Sequence, residues 1–219
     1  MTETRKPKRL VFCFDGTWNR LAADCPTNVV RMAQMLEPVA RDGTPQLVYY
    51  DEGIGTESKL TKLMRGALGH GMMQIIAEAY RFLIFNYAPG DEIFAFGFSR
   101  GAYTARSFVG FIRHAGILDA VSASQIETAI DIYRKAPAGL RGLESLEGLK
   151  FREANCTGIC VSEDDRAYRI EAFASEDGKG RHPAGYDPAS LPILDIRYLG
   201  VWDTVRALGI PEFIPGSAW

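Results

Sequence analysis

The sequence predicts an open α/β fold, a mostly parallel sheet with helices on both of its faces. Three observations carry the prediction. Apolar runs near residues 9–15, 46–50, 92–98 and 193–201 read as short strands. Segments with helical periodicity separate most of them, and each run ends in a polar or glycine-containing turn.

The first run, Leu10 to Phe14, is continuously apolar, as a strand buried on both faces of a parallel sheet must be. It breaks at Asp15-Gly16-Thr17-Trp18-Asn19, a cluster of turn-forming residues. Thr27 or Asn28 is placed to cap a helix over 29–36, which Pro38 closes. The strand at 46–50 ends in Asp51-Glu52-Gly53-Ile54-Gly55. Over 72–87 the pattern is helical, with Ile75, Ile76, Ala79, Phe82 and Leu83 on one face. Ala88-Pro89-Gly90-Asp91 then feeds the strand at 92–98, and helices are expected over 102–114 and around 124–134. Residues 137–190 are the least regular stretch and read as an insertion over one end of the sheet. The last strand ends at Trp202-Asp203-Thr204. Ligands of such folds bind outside the carboxyl ends of the strands, where all these polar turns gather.

The 219 residues suit one domain over 9–219, preceded by a basic leader at 1–8 that is expected to be solvated. With 47% hydrophobic and 24% charged residues the chain is a globular one, and a net charge of −2 gives no reason to expect nucleic acid as a partner. No apolar stretch follows the N-terminal charges, so no Sec signal is read, and synthesis in the cytoplasm is expected. No uncharged run reaches membrane-spanning length, which leaves peripheral membrane contact open. Four cysteines form neither a disulfide framework nor a zinc pattern. There is no P-loop lysine motif and no dinucleotide fingerprint after the first strand.

Gly97-Phe98-Ser99-Arg100-Gly101 is the motif that carries chemistry. A Gly-x-Ser-x-Gly turn between strand and helix lifts the serine hydroxyl out of the sheet edge, and side chains at the two glycines would strike neighbouring backbone. In a chain with 22 glycines the pentapeptide alone is weak, and its place between an apolar strand and a helix is what makes Ser99 a candidate nucleophile. A tight strand-to-helix turn without chemistry is the alternative.

Four blocks occur in order: Phe14-Asp15-Gly16-Thr17-Trp18-Asn19, Tyr50-Asp51-Glu52-Gly53-Ile54-Gly55-Thr56, Gly97-Phe98-Ser99-Arg100-Gly101-Ala102-Tyr103-Thr104-Ala105-Arg106 and Gly200-Val201-Trp202-Asp203-Thr204-Val205. Together they resemble the catalytic α/β-hydrolase domain of type VI secretion phospholipase effectors. The resemblance implies an α/β-hydrolase-like fold, here with room for a truncation at its C-terminal end. It also implies a serine esterase of phospholipase type, an acyl ester or phospholipid substrate, secretion as an effector, and a secretion-system or immunity partner. No metal or organic cofactor is required by that chemistry.

Such a hydrolase needs an acid that follows the serine and orients a histidine. Asp203 ends a strand on the expected edge and matches the family's aspartate; capping of the turn at Thr204 is the competing role. The Arg100 N–H is the expected first oxyanion donor, and the loop at Gly16 and Thr17 the expected source of a second. Asp15 fits bracing of that loop better than proton transfer. Arg100 and Arg106 fit either a phosphate head group or salt bridges on their helix. The base is the gap in the pattern, since there are three histidines and none is well placed. His70 sits where the family motif asks for none. His114 ends a helix, where the dipole favours an imidazolium. His182 precedes Asp203 and reverses the chain order of the triad. Three expectations compete: a fragment or truncation that lacks the base, a base at His182, or a non-catalytic interaction module that keeps the hydrolase fold.

Overall fold

The computed structural model describes residues 5–16, 25–53, 68–135, 145–175 and 181–205. Among these, β1 (Arg9–Phe14), β2 (Gln46–Asp51), β3 (Glu92–Phe98) and β4 (Ile196–Trp202) form one sheet in the order β2-β1-β3-β4. Every neighbouring pair is parallel. Phe14 lies opposite Asp51 on one side and Gly97 on the other, and Phe98 lies opposite Trp202. The chain therefore leaves β1, β2, β3 and β4 at one common edge, carrying Asp15, Glu52, Ser99 and Asp203 respectively. From β1 the strand order runs outward in opposite directions, so the crevice between the ends of β1 and β3 is the switch point at which open α/β sheets bind ligands.

Alternation along β1 divides the core into two. Leu10, Phe12 and Phe14 face α2 (Leu68–Asn86), α3 (Arg100–Ala115) and α4 (Ile126–Lys135), meeting Ile76, Tyr80, Leu83, Phe108 and Phe111. The Phe12 and Phe108 rings lie 4.6 Å apart between centroids. Val11 and Cys13 face the other way and pack with Phe96 and with Val29 of α1 (Asn28–Met35). Thr27 caps α1, its hydroxyl accepting the Val30 N–H at 3.1 Å. Helices thus cover both faces.

The structure departs from the sequence reading in three places. Helix α2 starts at Leu68, ahead of the expected 72, and so takes in Gly69 and Gly71, residues that weaken helical propensity. The basic leader is not simply solvated: Arg5 and Lys8 both pair with the buried Asp91 carboxylate at the start of β3. And the stretch read as irregular contains α5 (Leu146–Asn155) and α6 (Glu163–Ala174).

Those two helices are joined by charge more than by an apolar stripe. Asp165 receives Arg152 Nε at 3.0 Å and an Arg169 guanidinium nitrogen at 2.9 Å, and all three side chains are fully buried. Arg152 also donates to the His114 carbonyl at 2.7 Å, fastening α5 to the last turn of α3. Removing the one carboxylate would strand two guanidinium groups without water. Asp165→Ala is expected to cost about 3–5 kcal/mol in denaturant unfolding. Glu163→Ala, whose side chain is 74% exposed in its pair with Arg166, should stay within about 0.5 kcal/mol.

Candidate active site

At the end of β3 the chain turns directly into α3 through Ser99, whose backbone has φ 55° and ψ −120°. A serine held in that region costs about 1–3 kcal/mol and persists only where its surroundings fix it. Here they do. Ser99 N–H donates to the Trp202 carbonyl at 2.9 Å, so the turn continues the β3–β4 pairing. The flanking glycines are sterically required: a Cβ on Gly97 would come within 2.6 Å of Ala102 Cα, and one on Gly101 would drive into the Phe14 and Asp15 carbonyls. Gly101 thereby lets α3 approach the end of β1 closely, bringing the elbow and the Asp15 turn together.

Ser99 does not use its hydroxyl as a helix cap. Arg100, the first residue of α3, presents a backbone N–H beside it, one of the donors that a helix start leaves unpaired. No acidic residue occupies the first turn of this helix, so no side chain of that turn offsets its positive end.

Asp15 is buried and braces its own loop. It accepts the Gly16 N–H at 2.7 Å, the Thr27 hydroxyl at 2.9 Å and the Tyr50 hydroxyl at 2.8 Å. Burial and the bond to Asp15 push the Tyr50 pKa up, which keeps that hydroxyl a donor. The Gly16 N–H is therefore committed to Asp15. Thr17, the neighbouring oxyanion candidate, lies outside the described residues.

Asp203 directly follows β4, with φ 46° and an exposed side chain. Because Trp202 holds the Ser99 N–H, Asp203 lies at the same strand edge as the serine. The structure thus gathers Ser99, Arg100, Gly16 and Asp203 at the carboxyl ends of adjacent strands.

The described histidine side chains are elsewhere. Helix α3 rises for about 22 Å between Arg100 and Ala115. His114 is buried at its far end, where desolvation and the Arg152 charge pull its pKa down to about 4. It is neutral, not the imidazolium expected from the dipole, because burial and a neighbouring guanidinium outweigh the helix end. His182 pairs through Nε2 with Glu153 at 2.8 Å and stacks on Tyr186 with centroids 4.0 Å apart. Glu153 adjoins Arg152, so this pair belongs to the α5 side of the molecule and not to Ser99. The backbone of His70 lies in the first turn of α2, which runs down from the serine edge; its side chain is outside the described set.

Among the described residues no group of three or more His, Cys, Asp or Glu side chains is arranged to hold a metal ion, and no helix is long and apolar enough to cross a membrane.

The family model described as "T6SS, Phospholipase effector Tle1-like, catalytic domain" matches residues 8–217. The uncharacterized protein YEL023C of Saccharomyces cerevisiae is 33% identical over 142 residues, covering 58% of this chain and 20% of the yeast protein. The chain thus spans a fifth of the length of that relative. No solved structure matches.

Proposed function

The chain belongs to the family of Tle1-like catalytic domains of type VI secretion phospholipase effectors, and from that premise we propose that it is a serine hydrolase cleaving the acyl esters of phospholipids. The observation that supports this best is the left-handed Ser99 turn at the sheet's switch point, with a free helix start behind it. In this reading Ser99 Oγ attacks the ester carbonyl and passes its proton to an imidazole. The carbonyl oxygen becomes an oxyanion held by the Arg100 N–H and by the turn after β1. The imidazolium gives its proton to the departing alcohol, and water then releases the fatty acid from the acyl-serine. Asp203 orients the imidazole.

In this reading the imidazole is neither His114, buried at the far end of α3, nor His182, paired with Glu153. His70 and segments of a longer polypeptide are the remaining sources. Secretion, an immunity partner and contact with a membrane surface follow from family membership and stand or fall with the same reading.

A second reading has one observation in its favour: both described histidine side chains lie away from Ser99, His182 paired with Glu153 and His114 buried at the far end of α3. In that reading the domain binds lipid or a partner without turning it over. Titration of fatty acid released from phospholipid vesicles separates the two. Release that grows with time and with protein concentration is expected; folded protein that binds vesicles and releases none would favour the module.

A further inference from the structure

The arginines of this protein that the structure resolves in ion pairs hold carboxylates: Arg5, Arg9, Arg152, Arg166, Arg169 and Arg197. Arg100 does not. It is half-buried, and among the described residues its side chain makes neither an ion pair nor a hydrogen bond. Desolvation lowers its pKa, with no carboxylate acting to raise it. Arg106, the other cation of the elbow helix, already has a partner.

Arg100 follows Ser99 directly and lines a small cleft with Asp15, Asp51, Gly53, Ile75 and Thr104. The two carboxylates in that cleft have other bonds. Asp15 is taken by Gly16, Thr27 and Tyr50, and Asp51 Oδ1 accepts the Gly53 N–H at 2.8 Å. What remains beside the serine is a positive group that has lost part of its water and has no ion-pair partner among the described residues. Groups left in that state cost free energy until a partner arrives.

We propose that Arg100 is the specificity-determining residue of this site, its guanidinium binding the phosphate diester of a glycerophospholipid whose ester carbonyl lies at Ser99. This rests on the hydrolase reading and adds to it a reason for choosing phospholipids over neutral acylglycerols. A phosphate diester offers two anionic oxygens to a planar fork of donors, a match that an ammonium group reproduces only in part. A diacylglycerol has no such group and would cover the guanidinium without pairing it. The side chain and the backbone N–H of one residue would then serve different atoms of the same substrate.

The test measures binding, so it does not depend on turnover. Calorimetric affinities for monomeric dihexanoylphosphatidylcholine, dihexanoylglycerol and inorganic phosphate are compared in Ser99→Ala protein with and without Arg100→Gln or Arg100→Lys. The phospholipid should bind roughly tenfold to a hundredfold more tightly than the diacylglycerol. Arg100→Gln should erase that preference, and Arg100→Lys should retain part of it. An unchanged preference in Arg100→Gln would overturn the proposal, as would an equal loss of affinity for both lipids. So would inorganic phosphate binding as tightly as the phospholipid, which would mark a free-anion site. Should Arg100→Gln not fold, Arg100→Lys decides: a preference identical to that of the arginine protein contradicts bidentate recognition. Failure of the hydrolase reading looks different, as an absence of ester turnover with the Arg100-dependent preference intact.

Discussion

Ser99→Ala is expected to abolish fatty-acid release while leaving the unfolding transition in place. Removing the nucleophile of a serine hydrolase lowers kcat by on the order of a millionfold, because the remaining groups stabilise an oxyanion that nothing forms covalently. The size of the effect separates roles. A serine that only shapes a turn contributes little to rate, and its replacement would change turnover a few-fold at most. Folding should tolerate the change, since the Ser99 hydroxyl caps nothing and the flanking glycines supply the close approach. Alanine is still asked to hold φ 55°, so stability is expected to shift by no more than about 1 kcal/mol.

Asp203→Asn is expected to reduce kcat by on the order of ten thousandfold with KM little changed. An amide keeps the shape of the carboxylate but can donate where the acid only accepts, so the imidazole is held in the wrong tautomer and its charged form is no longer stabilised. Asp203 lies one residue beyond Trp202, whose carbonyl fixes the Ser99 N–H, and this short path ties the two side chains to a common edge. If Asp203 merely capped the turn at Thr204, asparagine would replace it well, since asparagine caps as effectively as aspartate. Steady-state kinetics of the single substitution therefore distinguishes the acid from the cap.

Much of the scaffold was legible in the residues. Four apolar runs announced the strands, and β3 spans Glu92–Phe98 as read. Thr27 announced the cap of α1. What escaped was held by interactions that leave no periodic trace. Helices α5 and α6 are organised around Asp165, and single buried carboxylates produce no pattern in a sequence. The start of α2 hid behind Gly69 and Gly71. At the site, the strand–Gly-x-Ser-x-Gly–helix order pointed to the turn geometry later found at Ser99, and Asp203 stood out by following a strand. The commitment of the Gly16 N–H to Asp15 could not be read, because it depends on where Thr27 and Tyr50 arrive in space. Nor could the lowered pKa of His114, which follows from its burial and then from the nearby charge of Arg152. That Arg100 has no ion-pair partner among the described residues is likewise a property of the assembled site.

Ser99, as an activated nucleophile, is the residue on which the proposed chemistry depends. The most direct test is covalent trapping with a fluorophosphonate followed by peptide mass spectrometry. A single adduct is expected on the peptide carrying Ser99, formed by folded protein and absent from Ser99→Ala. Folded protein that leaves Ser99 unmodified, or that is labelled equally after Ser99→Ala, would contradict it.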